Sequence, residues 1–212
     1  MTSVRKMKPI LPVELKVGTL PGSYRDLAQA FINFAIKKTS PIHGPGLNNS
    51  VYFLGTYWDN PPAPTKASIQ VNYGVPLFVN PIIDIVSVEE YTKEFSSSPT
   101  DKQLMGRVEE IINDTDAEIN IIENGRTSDY SIGQLQRIQV PYRKRQELDI
   151  GKGVWPNYPN GGIVNACWDG YFIALEDLQK GTYQIELKAD SPYLGKPGHR
   201  FYSSFVYDLT VI

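Results

Sequence analysis

Three acidic side chains follow one strongly apolar segment, and they are the first candidates for chemistry. Asp84 closes the apolar run 77–83, and Glu89 and Glu90 follow shortly after it. Carboxylates at the end of a strand can bind a hard cation or act as acid and base. We therefore expect Asp84 and Glu89 as catalytic candidates, and Asp84, Glu89 and Glu90 as candidate metal ligands. The alternative is a solvated strand end.

The two histidines form the second candidate group, because His43 and His199 both lie in loops with glycine and proline. A loop imidazole can serve as a base or a metal ligand. Two histidines and one carboxylate can form a metal triad with open positions. His43 and His199 are therefore catalytic candidates, and His43 is also a candidate metal ligand. The cofactor that this pattern allows is a divalent metal, calcium or a transition metal, and the alternative is ordinary surface loops.

Aromatic side chains cluster in two loops and form the third group. Trp58 lies beside a proline-rich turn, and two more aromatics lie in the glycine-containing stretch 151–162. Rings on loops can stack against sugars or other flat apolar faces. The alternative is that the rings cap the core. The predicted ligand-binding residues are Trp58, Trp155, Tyr158, Trp168 and Asp169.

Other catalytic motifs are absent from the sequence. Counted from Asp114, the sixth and twelfth places of an EF-hand loop hold Ile119 and Gly125 instead of Gly and Glu, which excludes that calcium site. The sequence contains neither a Gly-x-Ser-x-Gly elbow nor a P-loop. Cys167 stands between Ala and Trp, which is typical of a buried small side chain. The basic run 143–145 follows Tyr142 and suits either a phosphate contact or a solvated turn.

Two helices are predicted to support these candidates. Ser23 begins the first, with apolar residues at helical spacing from Leu27 to Ala35 and an end at Ser40-Pro41. Thr100 caps the second, which has a buried stripe at intervals of three and four residues.

Short apolar segments separated by turn residues predict a β-rich fold. Asn124-Gly125 is a strong hairpin signal, and the stretch 151–162 is expected to be a long loop. The sequence therefore predicts a single-domain β-sandwich of jelly-roll type over 23–212, with two inserted helices and an N-terminal arm over 1–22. The predicted strands are 51–56, 68–73, 77–86, 119–122, 136–141, 171–175, 183–187 and 201–211.

The predicted core takes the apolar positions of these helices and strands. Its members are Leu27, Phe31, Phe34, Val51, Phe53, Leu54, Leu77, Val79, Ile83, Leu104, Val108, Ile121, Phe172, Ile173, Leu175, Ile185, Phe205 and Leu209.

Several segments in a fixed order resemble a family of small, mostly exported, uncharacterised β-rich proteins of bacteria and archaea. The resemblance rests on the segments 49–56, 74–84, 119–125, 169–175, 181–185 and 205–211, which are similar to the family's "GPVWFLAGT", "FFPIIN" and "DGYW" strand motifs. It implies a β-rich fold and no established activity. The family often carries cysteines near the early strands, where this chain has Ser68, Asn72 and Ser87.

The composition of the chain argues against several classes of function. The chain has 212 residues, with 21 basic and 23 acidic side chains and a formal net charge of −2, which does not favour nucleic-acid binding. No apolar run is long enough for a membrane span. The charged residues 1–8 are not followed by an apolar region, so no signal peptide is expected. The single cysteine excludes an internal disulfide and favours the cytoplasm over export.

Three functions remain open. The leading one is a ligand-binding module for carbohydrate or a small molecule, in loops at one end of the sandwich. The second is a metal-assisted or acid–base enzyme that uses Asp84, Glu89 or Glu90 with His43 or His199. The third is a structural or assembly subunit that forms a homo-oligomer.

Overall fold

Two β-sheets lie face to face. A computed structural model describes residues 21–38, 42–56, 65–155, 158–192 and 200–212. The first sheet contains β1 (His43–Gly46), β2 (Val51–Gly55), β4 (Leu77–Ser87), β7 (Gln136–Gln139), β8 (Gln146–Ile150) and β9 (Gly162–Leu175). The second contains β3 (Thr65–Val71), β5 (Asp116–Glu123), β6 (Arg126–Ser131), β10 (Gly181–Pro192) and β11 (Arg200–Val211). The helices are α1 (Tyr24–Ala35), α2 (Val88–Phe95) and α3 (Asp101–Asn113).

The strand order confirms the β-sandwich. The first sheet has the order β1-β2-β4-β9-β7, with β8 also paired to β9, and the second has the order β3-β11-β10-β5-β6. The pairs β2–β4 and β3–β11 are parallel, whereas the other pairs are antiparallel. A jelly roll is built from antiparallel strands, so the predicted jelly-roll connectivity is not confirmed.

The core between the sheets follows from the alternation of side chains along the strands. Val79 and Ile173 of the first sheet pack in one cluster with Ile185, Phe205 and other residues of the second sheet. Helix α3 lies on this same inner face, because its Ile112 belongs to that cluster and the helix contacts β4, β9 and β10. The inner face of the first sheet is therefore covered by the second sheet at one part and by α3 at another.

Helix α1 covers the outer face of the first sheet. Its Phe31 meets Phe53 and Phe172 edge to face, with ring centroids 5.6 and 5.8 Å apart. Such aromatic pairs are a favoured packing geometry. All predicted core residues are buried except Phe34 and Ile83, which are partly buried against the cluster that contains Phe31 and Phe53.

The structure departs from the prediction in one helix and several strands. Helix α2 begins directly after β4 with a capping box between Ser87 and Glu90, and it was not predicted. Strand β9 begins at Gly162, well before the predicted start at Tyr171. The short strands β1 and β8 were not predicted either, and β6 was implied only by the Asn124-Gly125 hairpin signal. Within the described ranges, no helix has the length and apolar character that crossing a bilayer requires.

Candidate functional site

A row of three polar side chains crosses the first sheet under α3. Gln139 of β7 is the register partner of Asp169 of β9, and Asp169 is the register partner of Asp84 of β4. Register partners project to the same face of a sheet. This polar row, Gln139–Asp169–Asp84, therefore runs from the edge of the sheet into its interior.

Asp169 at the centre of the row is fully buried and held by strong hydrogen bonds. Arg137 donates from Nε to both carboxylate oxygens at 3.0 Å and from Nη2 to Oδ2 at 2.5 Å. Gln139 Nε2 donates to the same Oδ2 at 2.9 Å. The hydrogen bonds to Asp169 raise the pKa of the Arg137 guanidinium. These hydrogen bonds fix the planar guanidinium group of Arg137 in one orientation.

Helix α3 closes over this arrangement with polar side chains. Arg137 Nη1 donates to Asn113 Oδ1 at 2.6 Å, and Gln139 Nε2 donates to Glu109 Oε1 at 2.8 Å. The second oxygen of Glu109 accepts from Arg143 Nη2 at 2.6 Å. The polar groups at the edge of the sheet thus form one continuous network.

Asp84 at the inner end of the row differs from its neighbour. Its Oδ2 is buried and has no hydrogen-bond partner among the described residues. Burial raises the pKa of the Asp84 carboxyl to about 7, with a further upward contribution from Glu90 and an opposing one from Arg107. A carboxyl in such surroundings favours its protonated form, because the charged form loses solvation.

An open cleft of about 740 Å³ lies at the outer end of the row. We call it the β7 cleft, and it is lined by Arg25, Glu109, Gln136, Arg137, Ile138, Gln139, Val140, Tyr142 and Arg143. The Tyr142 ring is 88% exposed, and its backbone is left-handed, with a φ of 58°. This volume lies in the range typical of small-molecule sites.

The predicted acidic cluster has a structural role that the sequence analysis did not assign. Glu90 Oε2 accepts hydrogen bonds from the Ser87 backbone at 3.1 Å and from the Ser87 hydroxyl at 3.0 Å. Glu89 Oε2 accepts from the Tyr158 hydroxyl at 3.3 Å. Among the residues that the structure describes, no three His, Cys, Asp or Glu side chains are placed to hold a metal ion. The geometry therefore gives the predicted metal site no support.

The structure does not bring His43 to Asp84. His43 Nδ1 lies 3.1 Å from the Tyr52 hydroxyl, and burial lowers the pKa of its imidazole. β1 is two strands away from β4, and Asp84 lies further along β4 than the position level with His43. Usual strand spacings put these Cα atoms on the order of 15 Å apart. His199 lies outside the described residues.

The predicted aromatic residues are mostly packed in the interior. Trp168 is fully buried and donates from Nε1 to Gln146 Oε1 at 3.2 Å, and Trp155 is 7% exposed. The Tyr158 ring is partly buried, with its centroid 5.9 Å from that of Trp155. Neither tryptophan presents an exposed face for stacking, because both rings are part of the core. Trp58 lies outside the described residues.

Cys167 is buried, as predicted, and burial raises the pKa of its thiol to about 11. A thiol that stays protonated at neutral pH is a poor nucleophile.

Three residues that line the β7 cleft were not predicted as site residues: Arg25, Arg137 and Gln139. Arg137 and Gln139 alternate along β7 and therefore share one face, and this spacing was the available signal. Their partner Asp169 was predicted as a ligand-binding residue, but its carboxylate holds Arg137 from beneath and does not line the β7 cleft. Arg143 was noted only as part of a basic run.

Comparisons of the chain with protein-family models, curated proteins and solved structures find no match. The resemblance to the exported β-rich family stays a prediction.

Proposed function

We propose that this protein is a binding module that takes a carboxylate-bearing ligand in the β7 cleft. The observation that carries the proposal is the convergence of three arginines and an exposed tyrosine on one open cleft. Arginine is the residue best suited to planar, bidentate recognition of carboxylates.

Preorganisation supports this function. Arg137 is already oriented by Asp169 and Asn113, so its position at the cleft costs little ordering entropy when a ligand arrives. Arg143 is paired with Glu109, and the Arg143 side chain is more than half exposed. The Glu109 side chain is only 22% exposed and also accepts a hydrogen bond from Gln139, so Glu109 keeps a partner when Arg143 turns toward a ligand carboxylate.

Tyr142 supplies an apolar surface beside these cations. A left-handed backbone is unfavourable for a residue with a side chain, and such strained positions cluster at functional sites. Here the conformation holds the ring out over the cleft rather than against the core. A ligand with a flat apolar part next to its carboxylate fits this pair of features.

The proposal is tested with citrate as an acidic probe and cellobiose as a neutral sugar, using backbone amide NMR shifts at low salt. Citrate should shift the amides of Arg137, Gln139 and Tyr142, and the shifts should weaken several-fold in Arg25→Ala. Arg126→Ala, on the exposed strand β6, is the matched control and should bind citrate normally. Citrate shifts that are absent, or equal in wild type and Arg25→Ala, would contradict the proposal. Cellobiose binding at the cleft would favour the sugar ligand predicted from the sequence.

A second candidate function rests on Asp84. A carboxyl with a pKa of about 7 can exchange protons at neutral pH, as an acid–base catalyst must. Asp84 does not line the β7 cleft, so this enzyme would need access to the inner end of the polar row. Trapping of the Asp84 side chain by a carbodiimide in the native protein would support that access, and protection would count against it.

A further inference from the structure

The β7 cleft runs along an edge of the first sheet. Among the described residues, β7 ends the strand order of this sheet and pairs only with β9. Side chains of successive strand residues point to opposite faces, yet all five residues 136–140 line the cleft. Side chains from both faces of β7 can line one cleft only if that cleft includes the edge of the strand between the two faces.

The hydrogen bonds to β9 show which backbone groups face the cleft. The Val140 N–H donates to the Trp168 carbonyl at 2.9 Å, so Val140 points toward β9. Antiparallel ladders alternate between residues that bond to one neighbour and residues that face the other side. Ile138 therefore also points toward β9, and the N–H and C=O groups of Arg137 and Gln139 point into the cleft.

The walls of the cleft fit one added strand. Arg25 comes from α1 on the outer face of the first sheet, and Glu109 comes from α3 on the inner face. A strand added to β7 would lie about 4.8 Å from it, between these two helices. Exposed edges attract extended chains because the unpaired backbone groups form a ready template.

The charged side chains of the β7 cleft indicate what kind of peptide would pair with β7. Three guanidinium groups line the cleft against the single carboxylate of Glu109. Arg137 is already hydrogen-bonded to the buried Asp169 carboxylate. The exposed cations that can meet a ligand are therefore those of Arg25 and Arg143. An incoming strand projects alternate side chains to each face, and an acidic side chain on either face would meet one of these arginines.

We infer that the ligand of the β7 cleft is an extended acidic segment of a partner protein, which pairs with the edge of β7 as an added strand. This inference rests on the proposed carboxylate site and specifies its ligand class. The backbone groups of Arg137 and Gln139 bind the peptide main chain, and Arg25 and Arg143 bind its carboxylates. This is recognition by strand addition, in which main-chain hydrogen bonds supply affinity and side chains supply specificity.

The test pans a display library of random heptapeptides against the full chain. Enriched peptides should carry Asp or Glu at alternate positions, and citrate should compete with them. Binding of such a peptide should slow amide hydrogen exchange at Arg137 and Gln139, but not on β6, one of the two edge strands of the second sheet in the described part of the chain. Backbone N-methylation of the peptide, which removes N–H donors and leaves the side chains intact, should weaken binding at least tenfold.

Three results would overturn the inference. The first is that citrate binds through Arg25 while no peptide is enriched, in which case the proposed carboxylate site stands and strand addition fails. The second is that a peptide binds but leaves both amides unprotected, or tolerates N-methylation. The third is that the Arg137 and Gln139 amides already exchange slowly in the free protein, because the edge is then occupied. If neither citrate nor any peptide binds, the inference and the proposed function fail together.

Discussion

Asp84 and Asp169 are register partners on the neighbouring strands β4 and β9, yet their carboxyl groups are in opposite situations. Asp169 accepts hydrogen bonds from Arg137 and Gln139 on both of its oxygens. Asp84 has a buried Oδ2 with no hydrogen-bond partner in the described part of the chain. Burial is the main cause that raises the pKa of the Asp84 carboxyl to about 7, and the neighbouring charge of Asp169 adds a smaller upward contribution.

We predict that Asp84 makes the stability of the protein depend on pH. The folded pKa is about 7 against an ordinary value of 3.8, so the folded state binds more protons than the unfolded chain between about pH 4 and pH 7. The free energy of unfolding therefore falls as the pH rises through this window and levels off above it. Asp84→Asn should remove this slope and raise the stability at pH 8 by roughly 1–3 kcal/mol.

Urea unfolding at pH 5 and pH 8 measures both effects. Asp129→Asn, an exposed position on β6, is the matched control and should keep the wild-type slope. An unchanged pH slope in Asp84→Asn would show that this carboxyl is ionised in the folded protein at both pH values.

Removing Arg137 should lower the free energy of unfolding more than removing the charge of its partner Asp169. Arg137→Ala leaves a fully buried carboxylate with only Gln139 as its described hydrogen-bond donor, and we expect a loss of about 3–5 kcal/mol. Asp169→Asn leaves an arginine whose side chain is 28% exposed and can turn toward water, so the loss should be smaller. Chemical denaturation of both variants and of the double variant gives the coupling. Equal losses in the two single variants would contradict this explanation.

Gly170 allows β4 and β9 to approach closely. A Cβ at this position would lie 2.9 Å from the Ile82 carbonyl oxygen, a backbone atom that cannot move away cheaply. Gly170→Ala should therefore destabilise the protein by about 1–3 kcal/mol. Gly106→Ala is the matched comparison, since Gly106 is exposed in the middle of α3 with no atom within 4 Å of its new Cβ. It should stabilise the helix by up to about 1 kcal/mol. Thermal unfolding of the two variants should give shifts of opposite sign.

The N-terminal cap of α2 should contribute more to the stability of the protein than that of α1. Ser87 is fully buried, accepts a hydrogen bond from the Glu90 N–H at 3.1 Å and lies 3.1 Å from the Tyr158 hydroxyl. Ser87→Ala should cost about 1–2 kcal/mol. Ser23→Ala removes an equivalent but exposed capping box and should cost less. A larger shift of the unfolding temperature in Ser23→Ala than in Ser87→Ala would argue against a role for burial and the Tyr158 contact.

Local signals predicted much of the fold because their causes are local. Ser23 and Thr100 each begin a helix by capping a backbone N–H three residues ahead. Asn124 and Gly125 both adopt positive φ in the turn between β5 and β6, as this dipeptide favours. The same kind of signal was present at Ser87-x-x-Glu90. Acidic residues directly after an apolar strand also fit a chemical role, so this signal competes with a second interpretation.

The sequence by itself determined the β-rich class, two of the three helices and most strands, and 16 of its 18 predicted core residues are buried. Periodicity, caps and turns act within a few residues, and these features depend on nothing further away. Only the tertiary structure decided the candidate site. Arg137, Asp169 and Asp84 meet because β7, β9 and β4 are neighbours in a particular register, and that register is set by packing between distant segments. The same packing buried Trp168, separated His43 from Asp84 and placed β7 at the edge of the first sheet among the described strands.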